Sequence, residues 1–72
     1  MKHADAIKAL DERRTVYAPD DKGWIAALGR YETSQIADHD RASPMNKRGN
    51  AFVHWESGVS TWTPIKDLRV TA

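Results

Sequence analysis

The stretch that decides the fold is Phe52-Val53-His54-Trp55-Glu56-Ser57-Gly58-Val59-Ser60-Thr61-Trp62-Thr63-Pro64. Two runs rich in β-branched and aromatic residues, Ala51 to Trp55 and Val59 to Thr63, flank a Ser-Gly pair. That is hairpin chemistry, because glycine tolerates the positive φ a tight return requires. Two registers are open. With Ser57 and Gly58 as the central turn residues, Glu56 faces Val59, Trp55 faces Ser60 and Val53 faces Trp62. Both indoles then share one face in diagonal contact, about 7–8 Å between Cα atoms. A bulge at Gly58 shifts the register and lets the two rings fall on opposite faces.

Working outward, Pro64 ends the pairing, Ile65-Lys66-Asp67-Leu68 fits one helical turn, and Arg69-Val70-Thr71 reads as a closing strand. Upstream, residues 34–50 are polar, contain Pro44 and Gly49, and show no sustained period. They predict a long mobile loop. Trp24 to Thr33 is expected as a longer strand whose interior Gly29 marks a bulge or bend. Pro19-Asp20-Asp21-Lys22-Gly23 supplies turn chemistry, and Thr15 to Ala18 a short strand. Residues 3–14 place Ala6, Ile7, Ala9 and Leu10 at helical spacing, with Asp5 near the start and Arg13 and Arg14 at the end to suit the dipole. So short a helix is unstable alone and must dock, here as a lid over the sheet.

The expectation is one domain over residues 1–72, mainly β: a helix at 3–14 packed on a bent antiparallel barrel of about five strands at 15–71. A chain of this length buries only about 60% of its unfolded surface, so the core must be compact. It has no cysteine to staple that core. Lys plus Arg number 11 and Asp plus Glu 10, for a net charge of +1, which excludes a strongly basic nucleic-acid coat or an acidic tail. The apolar run Ile25-Ala26-Ala27-Leu28 is far too short for a membrane span. A small soluble intracellular protein is expected, cytoplasmic or associated with the nucleoid or nucleus.

Phe52-Val53-His54-Trp55, Gly58, Thr61-Trp62-Thr63-Pro64 and Leu68 together resemble the chromodomain, chromo-barrel and Tudor-like group of SH3-like barrels. The likeness covers mainly residues 51–68, with Gly23-Trp24-Ile25-Ala26-Ala27 as a weaker echo of a further strand. The resemblance implies a barrel that holds a methylated lysine in an aromatic cage, with Trp55 at a cage position, Trp24 on the second strand, Tyr17 as the N-terminal aromatic, and Trp62 mainly packing. The chain departs from that group where Val59 takes the place of a further aromatic and where its helix lies at the N-terminus.

The leading expectation is a non-enzymatic binding module in which Trp24, Trp55 and Tyr17 form an aromatic groove for a protein segment, such as one bearing a cationic side chain. The alternative is a nucleic-acid-associated barrel contacting phosphates through Lys47, Arg48 and Arg30. A third is a structural subunit that pairs through an edge strand with a copy of itself or another chain, so the oligomeric state is left open. No catalytic constellation, phosphate loop or zincin pattern occurs in the sequence. Asp38-His39-Asp40 reads as a solvated charge cluster rather than a metal site, and no metal or cofactor is expected.

Overall fold

The computed structural model describes residues 1–32 and 45–71. The chain opens with helix α1 (His3–Glu12), followed by strands β1 (Thr15–Tyr17), β2 (Lys22–Leu28), β3 (Asn50–Trp55) and β4 (Ser60–Pro64), and a 3₁₀ turn at Ile65–Asp67. The strands form one antiparallel sheet in the order β1-β2-β3-β4. Among the described residues the sheet does not close on itself. In place of the expected fifth strand at 69–71 there is a single antiparallel bridge, Tyr17 to Arg69, in which each amide donates to the other carbonyl at 2.7 and 3.0 Å.

The hairpin takes the bulged register. The Gly58 amide donates to the Trp55 carbonyl at 3.0 Å and the Trp55 amide to the Val59 carbonyl at 2.9 Å, while Gly58 sits at φ 100°. A three-residue loop with glycine in the left-handed region is the G1-bulge solution, which suits the twist of the strands. His54 therefore faces Ser60 and Phe52 faces Trp62. Because side chains alternate along a strand, this one extra residue puts Trp55 and Trp62 on opposite faces.

The inner face carries Val16, Ile25, Ala51 and Val53, all buried, and α1 seals it with Ala6 and Ala9. Their small side chains let the helix backbone approach the sheet closely. Leu10 and Leu28 pack at the margin, and Ile65 and Leu68 close the floor. Burying each of these larger aliphatic side chains contributes about 1.5–3 kcal/mol, which is what stabilises a helix too short to stand alone.

Several expectations shift. The helix ends at Glu12, two residues early, because Arg13 turns left-handed at φ 51° and its amide closes back on Leu10. Ile7 is 42% exposed rather than part of the docked stripe. Gly23 belongs to β2 and not to the preceding turn, which is a tight return at Pro19-Asp20 closed by the Ala18 amide on the Asp21 carbonyl. Strand β2 stops at Leu28 instead of Thr33, and its bulge lies between Ile25 and Ala27. Gly29 has another reason to be glycine: a Cβ there would stand 1.7 Å from the Lys47 carbonyl oxygen. That close approach joins the two ends of the 29–50 segment. The Gly29 amide donates to the Asn50 carbonyl, and the buried Asn50 side chain donates to the Met45 carbonyl at 2.9 Å. The expected loop at 34–50 lies largely outside the described residues. Within it, Lys47 forms one parallel bridge with Tyr31.

Candidate functional site

The outer face of the sheet is where the aromatic residues gather. On β2, Trp24 pairs with His54, and on β3 and β4, Phe52 pairs with Trp62. The result is a row of rings crossing three strands. Trp24 and His54 centroids lie 4.8 Å apart, His54 and Phe52 5.4 Å, and Phe52 and Trp62 5.1 Å. Successive planes are tilted by 59°, 76° and 49°. Edge-to-face and tilted contacts of this kind are favourable for ring quadrupoles, so the row is held by its own packing. It forms a corrugated apolar surface rather than a flat platform.

Trp24 is 41% exposed, and Phe52, His54 and Trp62 are half-buried. Two polar neighbours fix the row. The His54 Nδ1 shares a short hydrogen bond with the Ser60 hydroxyl, as expected of a non-hydrogen-bonded cross-strand pair, whose side chains lie closest. At the β2 end, the Arg13 guanidinium rests 5.7 Å from the centre of the Trp24 indole. The left-handed turn that ends the helix is what brings Arg13 round to this face. Arg13, Thr15, Gly23, Trp24, His54, Trp55 and Glu56 border a shallow cleft here.

The residues expected to form one groove converge only in part: Trp24 and Trp55 both border this cleft, and Tyr17 does not. Trp55 lies on the opposite face from Trp24, packed against the core, and its Nε1–H donates to Thr61 Oγ1 at 2.7 Å. Thr61 Oγ1 in turn lies 3.0 Å from Thr63 Oγ1. The indole nitrogen is thus satisfied within the chain, and Trp55 shares a depression with Asp21, Val59 and Thr61. Tyr17 borders a third depression, with Pro19, Lys22 and Arg69. Only Trp24 of the three expected residues stands on the aromatic row.

Phe52, His54 and Trp62 are the members that sequence reasoning did not select. For Trp62 the signal was the three-residue loop Glu56-Ser57-Gly58, which decides the face of the returning strand, whereas Phe52 and His54 precede the loop and alternate with the buried Ala51 and Val53. Trp62, expected to pack, is part of the outer row.

The basic residues are elsewhere. Arg30 and Arg48 border a depression with His3, Ile7 and Leu28, beside the helix, and Lys47 contributes to a neighbouring one with Met1 and Lys66. Arg48 lies 3.9 Å from Glu32, and Arg30 rests over the Tyr31 ring at 5.8 Å. Lys22, nearer the aromatic row, is matched by Glu56 at 3.5 Å. Among the described residues no group of three His, Cys, Asp or Glu side chains could hold a metal ion, and Asp38-His39-Asp40 falls outside them. No helix among them is long and apolar enough to cross a membrane.

One carboxylate is perturbed. The Ser57 hydroxyl, then the Lys22 amide at 2.7 Å, and then the Ser57 amide hold the Asp21 carboxyl below its ordinary range, against a small opposing effect of burial. This ties the β1–β2 turn to the β3–β4 hairpin.

No family model, curated protein or solved structure matches the chain.

Proposed function

We propose that the chain is a non-enzymatic binding module that receives a protein segment on the outer face of its sheet. The observation carrying this reading is the continuous Trp24–His54–Phe52–Trp62 row on the face that α1 leaves uncovered. Large rings left at the surface while the core is built from Ala, Val, Ile and Leu suit recognition better than packing. The furrows between tilted rings fit aliphatic side chains and the stems of long cationic ones. Trp24 already accommodates the guanidinium of Arg13, so an incoming Lys or Arg would replace an intramolecular cation with its own.

Support for an SH3-like arrangement comes from the element order: β1 to β4, then a 3₁₀ turn, then a return to β1 at Arg69. A nucleic-acid reading draws less support, because Arg30, Lys47 and Arg48 lie apart from the rings and tilted planes offer no continuous stack for bases.

Selection of peptides from a displayed random library against the native chain tests the proposal. Selected peptides are expected to lose at least about tenfold in affinity for Trp62→Ala, close to 1.4 kcal/mol. They should bind Trp55→Phe nearly as well as the native chain, and cationic ones should bind Arg13→Ala more tightly. Peptide affinities indifferent to Trp24→Ala and Trp62→Ala would overturn it. A single-stranded oligonucleotide that quenches the indoles with a steep salt dependence would move the assignment to nucleic acid.

A further inference from the structure

We infer that the free edge of β4 is a pairing edge for a second copy of this chain, joined about a twofold axis through Trp62. This surface differs from the outer face assigned above, since it is made of backbone groups in the plane of the sheet.

The two edges of the sheet are unlike. At the β1 edge, Tyr17 and Arg69 exchange amide bonds, so the outward groups of Tyr17 are taken. At the β4 edge the pattern follows from the register. Trp55 and Val59 form a hydrogen-bonded pair, so by antiparallel alternation Val53–Thr61 and Ala51–Thr63 do too, whereas His54–Ser60 and Phe52–Trp62 do not. The Asn50 carbonyl accepting from Gly29 on the β2 side, and the Ile65 amide donating to Gly49, obey the same alternation. The amides and carbonyls of Ser60 and Trp62, and the carbonyl of Pro64, therefore point away from β3. Among the described residues no backbone hydrogen bond reaches them.

Sheet edges are ordinarily protected by charge, by bulges or by cover. Strand β4, Ser-Thr-Trp-Thr-Pro, carries no charged residue. Its one edge device is Pro64, at the end. The groups that remain are self-complementary. In an antiparallel pair centred on Trp62, each Trp62 amide meets the Trp62 carbonyl of the second copy. Each Ser60 amide meets the Pro64 carbonyl of the second copy, a position where a missing proline N–H removes a donor without removing that acceptor. Thr61 falls opposite Thr63 of the second copy on one face, a favourable cross-strand pair. On the other face the two Trp62 indoles adjoin, so each aromatic row continues into its neighbour. With a net charge of +1 per chain, repulsion between copies is small.

Two strands this short bury less than the roughly 1,200 Å² of a standard stable interface, so the dimer is weak and depends on concentration. The test is sedimentation equilibrium on the full chain made by chemical synthesis, with and without an N-methyl group on the Trp62 amide, from about 10 µM to about 1 mM. N-methylation removes the outward donor and leaves the indole and the bonds to β3 in place. The native chain is expected to rise from one chain mass towards two, and the N-methyl chain to associate at least about tenfold more weakly with an unchanged circular dichroism spectrum. Amide hydrogen exchange on the unmodified chain supplies a second readout. Exchange at Trp62 should slow as concentration rises, whereas Thr61, bonded to β3, should not change.

A constant monomer over the whole range overturns the inference and leaves the edge to a strand of a different protein. Association equally strong in the N-methyl chain also overturns it, by placing the contact elsewhere. Trp62 exchange independent of concentration does the same. None of these results bears on peptide capture by the outer face, which Trp24→Ala reads separately.

Discussion

The two faces of the sheet are built from the same strands and opposite kinds of residue. The inner face holds the side chains that close-pack best at small volume, Val16, Ile25, Ala51 and Val53, under Ala6 and Ala9 of the helix. The outer face holds Trp24, His54, Phe52 and Trp62. In so short a chain the largest residues would ordinarily be needed inside. Here the largest fully buried side chains are Ile25, Leu68, Val16 and Val53. The contrast teaches that close packing and exposed aromatic surface have been divided between faces, and mutations should separate them.

The largest expected effect is on the sealed face. Ile25→Ala should cost about 2–5 kcal/mol, read as a lower midpoint in urea, enough to unfold a marginal domain. A loss under half that size would mean the inner face is not the principal core. Next comes the turn that sets the faces apart. Gly58→Val should cost about 1–2 kcal/mol, because a β-branched residue is strained at φ 100°. A Cβ at Gly58 meets nothing within 4 Å, so the penalty is conformational, and Gly58→Asn should recover much of it.

Trp24→Ala sharpens the comparison from the open side. It should change stability by no more than about 1 kcal/mol, through the lost contacts with His54 and Arg13, while weakening capture of a cationic peptide. Destabilisation as great as that of Ile25→Ala would show the two faces to be equivalent. The smallest effect concerns Asp21. Its folded carboxyl is held below the ordinary value, so the stabilisation is fully present above about pH 4 and is lost as pH falls through the folded value. Asp21→Asn should flatten that acid limb of a pH-dependent thermal melt by slightly lowering stability at neutral pH, with native chain and variant converging in acid.

Much of this was legible. The hairpin at 51–63, the single turn after Pro64 and the N-terminal helix follow from local propensity and punctuation, which act over a few residues. Local signals were weaker where tertiary contact decides. Ala6 and Ala9, not Ile7, meet the sheet, because close approach of two backbones favours the smaller side chain. Gly29 is explained by the Lys47 backbone, a neighbour distant in sequence. The outer face was the least legible part. Composition pointed to aromatic recognition, yet which rings share a surface depended on one bulge. The grouping of Trp55 with Trp24 and the packing role for Trp62 rest on the family resemblance, which does not fix that bulge.

The loop Glu56-Ser57-Gly58 therefore governs more than a change of chain direction. Losing a single codon from it would restore a two-residue turn and exchange the sides of every residue in the returning strand. Trp62 would swing in toward the helix and the threonines out toward solvent. Length at this tip is a parity switch: lineages of the chain should tolerate substitution there far more readily than insertion or loss.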